Sequence, residues 1–232
     1  LRFKDVLPSM GRTDGVKVRD LPKYRQMMPF YMRTKHESII YYKLDVEAEY
    51  LLRFAKNMSA EYGMNVTPFH LVIHALMKVH HAYPRLNRFV KGGRIWQRKG
   101  IWFSFSIKKE FKATSPISIE KREFKPGFNL IDTVKAARKV TLEGRDLKRK
   151  DQGEKESSRY VWIPSIAIKM LYPIYMMMDE FGFLPASIIR EDPLHASAFV
   201  ANVGAFDADS GYHHLYEPGT ISMFVVVGKI KK

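Results

Sequence analysis

The sequence predicts an α/β protein in which a mixed β-sheet is flanked by helices within a single domain. Stretches with apolar residues at helical spacing alternate along the chain with short runs rich in β-branched and aromatic residues. The 232 residues contain no internal repeat and no clear linker. Together these observations favour one mixed domain over two separate ones.

The composition is that of a globular protein with a sizeable core, since 46% of the residues are hydrophobic. No run approaches the roughly 18 apolar residues that span a bilayer, and the first residues lack the apolar stretch of a signal peptide. We therefore expect a soluble, cytoplasmic protein with no membrane partner. The absence of cysteine excludes disulfides, thiolate metal sites and a cysteine nucleophile.

The formal net charge of +15 would attract polyanions such as nucleic acid, acidic lipid headgroups or a phosphorylated cofactor. Much of the excess lies in residues 108–155, beside acidic residues, which is typical of a solvated face. No recognised nucleic-acid-binding motif accompanies it. We expect no nucleic-acid partner.

The amino-terminal part predicts an arm followed by a strand. Residues 1–24 carry turn formers and charge without sustained periodicity, so we interpret them as an N-terminal arm before a domain of residues 25–232. Residues 37–46 are rich in β-branched and aromatic side chains, which favours a strand.

Two helices are predicted next. Apolar residues recur at helical spacing from Glu47 to about Tyr62, and Gly63 supplies a stop. Thr67 and Pro68 are typical of an N-cap and a first helical position, so a second helix is expected to run to about Ala82.

His70 and His74 are four residues apart and would share one face of the second helix. Such spacing allows a metal site, but no carboxylate stands at the right offset, and packed or surface histidines are commoner than ligands. We expect no metal.

The middle of the chain predicts three strands and a helix. Residues 94–97 and 101–107 flank a three-residue turn and suggest a hairpin, and residues 115–122 suggest a third strand. Residues 129–141 show helical spacing, and Gly144 is expected to end that helix.

The remaining chain begins with a polar stretch, residues 148–158, that predicts an exposed loop. Residues 161–183 are strongly apolar but interrupted by prolines, which favours two buried helical pieces, and Met176, Met177 and Met178 are typical of core filling. Two apolar strands are predicted at residues 198–203 and 221–230.

Four stretches carry a resemblance to a known family. They are Met28-Pro29-Phe30-Tyr31-Met32 with the run to Val46, Val66-Thr67-Pro68-Phe69-His70 through Pro84-Arg85-Leu86-Asn87, Phe199-Val200-Ala201-Asn202-Val203-Gly204, and Pro218 to Gly228. In order and spacing they resemble the acyltransferase domain of 2-oxoacid dehydrogenase complexes, the E2 component, which is chloramphenicol-acetyltransferase-like.

The resemblance implies a chloramphenicol-acetyltransferase-like sandwich assembled as a trimer, in which coenzyme A and a lipoyl-linked acyl group meet in a channel between subunits. The lipoyl group would sit on a separate domain or partner. In this family a histidine of a His-x-x-x-Asp-Gly motif takes the thiol proton, and a Ser or Thr hydroxyl stabilises the oxyanion.

The chain departs from the family pattern at two points. Alignment of Asn202-Val203-Gly204 with the family segment places Ala201 at the oxyanion serine, and the chain ends at Lys232 just after the strand expected before the histidine motif. Two interpretations follow. Either the motif lies beyond Lys232 and the protein is an acyltransferase, or the protein is an inactive homologue that acts as an oligomeric scaffold or partner-binding module.

The remaining candidate residues for the substrate channel are Asn202, His213 and His214. The two histidines lie in a loop with nearby carboxylates. Each could act as a base, a metal ligand or a hydrogen-bonded loop residue.

Overall fold

A computed structural model of the chain describes residues 11–110, 115, 117–146 and 162–231. Residues 1–10 of the predicted arm and the predicted polar loop at residues 148–158 lie outside this part. The strands are β1 Gly15–Lys17, β2 Arg88–Lys91, β3 Arg94–Arg98, β4 Trp102–Lys108, β5 Ile117–Glu123, β6 Ala198–Asn202 and β7 Phe224–Val227. The helices are α1 Lys23–Tyr31, α2 Lys35–Ser38, α3 Ala48–Tyr62, α4 Pro68–Ala82, α5 Leu130–Arg145, α6 Ser165–Phe181 and α7 Ala186–Glu191.

The main sheet is mixed and has the order β5-β4-β6-β7, in which β4 pairs antiparallel with β5 and parallel with β6. β6 and β7 are also parallel. Phe103 and Val200 on one face of the sheet pack with Ile73 of α4 and Val140 of α5, and all four are almost fully buried. The predicted mixed sheet with flanking helices is confirmed.

A second, antiparallel sheet has the order β1-β3-β2. The predicted hairpin between residues 94–97 and 101–107 is wrong, because β3 pairs instead with β2 across Gly92 and Gly93. Both glycines have φ near +60°, the backbone that a tight two-residue turn requires and that glycine adopts without strain. The local sequence predicts a turn at Gly100 equally well. Only the packing of the strands in the sheet therefore decides which strand pairs with β3.

The predicted C-terminus of α3 and the predicted N-terminus of α4 are confirmed. Gly63 ends α3 in the left-handed conformation, and the Thr67 side chain accepts the first-turn N–H of His70. Gly144 does not end α5, which continues to Arg145. A Cβ on Gly144 would lie 2.7 Å from the Ile107 side chain, so this glycine allows the helix to approach β4 closely.

Residues 161–183 differ from the prediction of two buried helical pieces. α6 is one helix that contains Pro173, and Asp179 is its only buried residue. Met177 is 54% exposed, so the methionine stripe does not fill the core. The apolar composition predicts burial, but this chain by itself packs little against the helix.

The predicted strand at residues 37–46 is also wrong. Residues 35–38 form α2, and residues 39–47 have no regular secondary structure. Ile40 and Tyr42 are 90% and 82% exposed. A strand requires a hydrogen-bonded neighbour, and no described strand lies beside this segment.

A buried ionic network around Asp179 joins α6 to both sheets. One Asp179 oxygen lies 3.0 Å from Arg12, the other lies 2.8 Å from Lys91 of β2, and the side chain is fully buried. His195, just before β6, lies between two carboxylates. Its Nε2 is 3.1 Å from Asp179 and its Nδ1 is 2.7 Å from Asp192.

Because carboxylates only accept hydrogen bonds, both His195 nitrogens donate and the ring is an imidazolium. Burial alone would lower the pKa of His195, but the hydrogen bonds and charges of Asp179 and Asp192 outweigh it and raise the pKa. Burial would raise the pKa of both carboxyl groups. His195, Lys91 and Arg12 nevertheless lower the pKa of Asp179, and His195 with the hydrogen bonds from the Leu194 N–H and the Tyr175 hydroxyl lowers the pKa of Asp192.

The His195→Asn substitution should make the free energy of unfolding less dependent on pH above neutrality. A raised histidine pKa stabilises the fold fully below the unfolded value of about 6.5 and loses this contribution as the pH rises through the folded value. The lowered pKa values of the two carboxyl groups, Asp179 and Asp192, add to the free energy of unfolding only above about pH 4. We expect the free energy of unfolding to fall by about 3–5 kcal/mol near pH 5.5, as it does when other buried ion pairs are broken, and to fall by less at pH 9.

Urea denaturation across this pH range measures the effect. His81→Asn, at an exposed position of α4, is the matched control and should follow the wild-type curve. Parallel pH curves for His195→Asn and the wild type would contradict the imidazolium assignment.

Candidate functional site

The end of β6 places two of the sequence-predicted residues on opposite faces of the main sheet. Side chains alternate along a strand, so Ala201 shares a face with Phe199, and Asn202 shares the other face with Val200 in the helix-covered core. Asn202 borders a cavity of about 370 Å³ that is lined by the first turn of α4 and by α5. The structure therefore separates Asn202 from His213 and His214.

His213 lies on the Ala201 face, at the end of a stack of rings. Its imidazole is nearly parallel to Phe224 with the ring centroids 4.1 Å apart, and Phe224 stacks on Phe199 at 4.9 Å. The Nδ1 of His213 lies 2.6 Å from the carbonyl oxygen of His214. His213 thus packs the loop onto the sheet beside Ala201.

His214 extends this row of rings to α2. Its centroid is 5.3 Å from that of His213 and 4.8 Å from that of His36. His214 directs Nδ1 to its own loop, 3.3 Å from the carbonyl oxygen of Leu215. Neither histidine of the predicted pair has a carboxylate partner in the described part of the chain.

His36 does have one. Its Nδ1 lies 2.5 Å from a carboxylate oxygen of Glu217, and Glu217 also accepts the backbone N–H groups of Lys35 and His36. Burial would raise the pKa of Glu217, but these hydrogen bonds and the nearby imidazole lower it. With Nδ1–H donated to the carboxylate, the Nε2 of a neutral His36 is a hydrogen-bond acceptor, which is the arrangement of a general base.

Lys35 fixes the loop that carries Glu217. Its ammonium donates to the carbonyl oxygens of Tyr216, Pro218 and Gly219 at 2.7, 3.3 and 3.2 Å. Burial and, secondarily, the charge of Lys91 lower its pKa to about 8. The pairing of α2 with this loop joins residues 181 positions apart, so sequence analysis missed His36 and Glu217, and no local motif signals them.

The two histidines considered as a metal pair have other roles. The Nδ1 of His70 accepts the N–H of Thr67, and the Nδ1 of His74 lies 2.9 Å from the Thr133 hydroxyl. Among residues 11–110, 115, 117–146 and 162–231, no three His, Asp or Glu side chains form a cluster that could hold a metal ion.

The mixed sheet, its parallel strands β4, β6 and β7 and its helix-covered face define a single α/β fold. The structure is similar to that of a probable dihydrolipoamide acetyltransferase from Listeria monocytogenes 4b F2365, with a TM-score of 0.54 and 15% sequence identity. The match covers 94% of this chain and 76% of that chain. The fold implied by the sequence resemblance, that of the E2 catalytic domain, is therefore confirmed.

No protein-family model and no curated protein sequence matches this chain. Within the described residues, no helix combines the length and apolarity needed to cross a bilayer.

The Lys35→Met substitution should loosen the loop at residues 212–219. It removes a charged donor from three carbonyl groups, and one hydrogen bond to a charged group contributes about 1.5–3 kcal/mol. We expect amide hydrogen exchange in this loop to become at least about tenfold faster.

Mass spectrometry of deuterium uptake measures this change. Lys43→Met, which removes an exposed lysine paired with Asp45, is the control. If uptake at residues 212–219 is equal in both variants and the wild type, Lys35 does not hold the loop.

Proposed function

We propose that this protein is a CoA-dependent acyltransferase of the 2-oxoacid dehydrogenase E2 type, which transfers an acyl group between a lipoyl thioester and coenzyme A. The observation that carries the proposal is the similarity of fold, over 94% of the chain, to a probable dihydrolipoamide acetyltransferase. The order of the four resembling stretches, from Met28 to Gly228, supports it independently.

His36 is the proposed general base among the described residues. In the direction from lipoyl to CoA, its Nε2 takes the proton of the CoA thiol as the sulfur attacks the thioester carbonyl carbon. The tetrahedral intermediate then collapses, the C–S bond to the lipoyl group breaks, and the imidazolium returns the proton to the departing sulfur. Glu217 holds the tautomer and stabilises the transient charge on the ring.

The ring stack connects this base to the sheet face that carries Ala201. His36, His214, His213, Phe224 and Phe199 follow one another at centroid distances between 4.1 and 5.3 Å. Ala201 lies two residues beyond Phe199 on the same face. In the proposed site the thioester lies over this face, and the alanine provides no hydroxyl for the oxyanion.

Exposed apolar surface favours an assembly of several copies, as the proposed trimer with its intersubunit channel requires. Ile166 and Met170 of α6 are 71% and 70% exposed, and residues 39–47 present Ile40 and Tyr42 to solvent. Exposed apolar surface of this extent is typical of protein–protein contacts. The unpaired segment at residues 39–47 has the composition of a strand, and another copy can supply the neighbour it lacks.

Turnover of acetyl-CoA with dihydrolipoamide tests the proposal, with release of CoA as the signal and light scattering to give the mass of the assembly. We expect acetyl transfer by an oligomer of three copies or a multiple of three. An oligomer without acetyl transfer would contradict the enzyme and support the scaffold, an interpretation that the absent hydroxyl at Ala201 favours.

The His36→Asn substitution should lower kcat by about 10²-fold or more, because a positioned base contributes about 10²–10⁴-fold. His81→Asn is the control. An unchanged kcat in His36→Asn would remove His36 from the mechanism.

The Ala201→Ser substitution should raise kcat, because it adds a hydroxyl donor beside the developing oxyanion. Loss of one such donor costs about 10²–10³-fold in other enzymes, so we expect an increase of about tenfold or more with little change in KM. Ala60→Ser, at an exposed position of α3, is the control. Equal kcat for both variants would show that the oxyanion does not form beside residue 201.

A further inference from the structure

The cavity bordered by Asn202 lies on the opposite face of the main sheet from His36 and Ala201. Its walls come from the first turn of α4, the outer side of α5 and the ends of β4 and β6, and its volume is about 370 Å³. Cavities of this size accommodate small molecules. The proposed acyl transfer makes no use of it.

The charged side chains that line the cavity are all basic. They are Lys108, Arg138 and Arg145, and no carboxylate is present among the described residues of the lining. Arg138 forms no ion pair or hydrogen bond with another described residue, and the Lys108 ammonium lies 5.2 Å from the centroid of the Phe206 ring. In a lining without acidic residues these cations favour an anionic ligand.

His70 adds an unpartnered donor to the same wall. The residue is buried, with an exposed fraction of only 8%. Burial, and to a smaller extent the charge of Arg138, lower its pKa to about 4, so the ring is neutral near neutral pH. Its Nδ1 accepts the N–H of Thr67 at 3.1 Å, which places the proton on Nε2. This Nε2–H has no hydrogen-bond partner in the described part of the chain.

The rest of the lining is largely apolar and suits the organic part of a ligand. Phe69, Phe105, Ile107, Leu142 and Phe206 contribute to it. An inorganic ion alone would leave most of the volume unfilled, whereas a phosphorylated small molecule uses both parts. The amide of Asn202 and the positive end of the 15-residue helix α4 add further attraction for an anion.

We propose that this cavity is a binding site for the phosphate group of a phosphorylated small molecule, held by Arg138, Lys108 and the Nε2–H of His70. The chemistry is the same whether the phosphate is free or belongs to a nucleotide such as adenosine 3′,5′-bisphosphate. The proposed site goes beyond acyl transfer, because it requires only that its ligand carry an anionic group next to an apolar one.

Calorimetric titration of the full chain with inorganic phosphate, adenosine 3′,5′-bisphosphate and adenosine tests the proposal. We expect both phosphates to bind, with weaker binding at high salt, and adenosine to bind much more weakly. Tighter binding of the bisphosphate than of phosphate identifies a nucleotide as the source, and equal binding identifies free phosphate. Equal binding of adenosine and its bisphosphate, or no binding of either phosphate, would overturn the proposal.

Two variants assign the binding to this cavity. Arg138→Gln and Asn202→Asp should each weaken phosphate binding by about tenfold or more, the first by removing a charged donor and the second by adding a carboxylate. Arg53→Gln removes the same charge from an exposed position of α3 and should bind as the wild type does. Unchanged binding in both cavity variants, with unchanged thermal unfolding, would place the phosphate elsewhere.

A third measurement does not depend on acyl transfer. The imidazole nitrogen shifts of His70 should report a neutral ring with the proton on Nε2, and the Nε2 signal should move when phosphate is added. A chain that transfers acetyl groups but shows no phosphate binding refutes this site alone. A chain that binds phosphate without acetyl transfer refutes the proposed function alone.

Discussion

The buried carboxylate of Asp179 is the interaction on which the arrangement of the molecule depends. It is the only buried residue of α6, yet it binds cations from the segment before β1, from β2 and from the loop before β6. An unpaired charge in the interior is costly, so α6, the small sheet and β6 have to be in place together. The position of β6 in turn determines where the two side chains at its C-terminal end, Ala201 and Asn202, lie on opposite faces of the sheet.

Those two faces carry different chemistry because side chains alternate along a strand. On one face, Ala201 lies near a stack of aromatic rings and imidazoles that ends at a histidine–carboxylate pair. On the other, Asn202 borders a basic cavity lined by the first turn of α4 and by α5. One strand end thus supplies both a candidate acyl-transfer site and a candidate phosphate site, separated by the thickness of the sheet.

Two segments with many exposed apolar residues differ from the structure that their sequence patterns predict. α6 and residues 39–47 have the composition of buried elements, and both lie on the surface of the single chain. Apolar composition determines that a segment favours burial, but it does not determine whether the covering surface belongs to the same chain or to another copy. The proposed assembly of several copies would cover both segments.

The sequence by itself determined the features that depend on near neighbours. Helical spacing and the caps at Gly63 and Thr67 located α3 and α4, and the resembling stretches predicted the fold that the similar solved structure shares. Only the tertiary structure decided the partner of β3, the exposure of α6 and the pairing of His36 with Glu217. The reason is that caps and periodicity act within a few residues, whereas strand pairing, burial and the approach of two side chains 181 positions apart depend on how the whole chain packs.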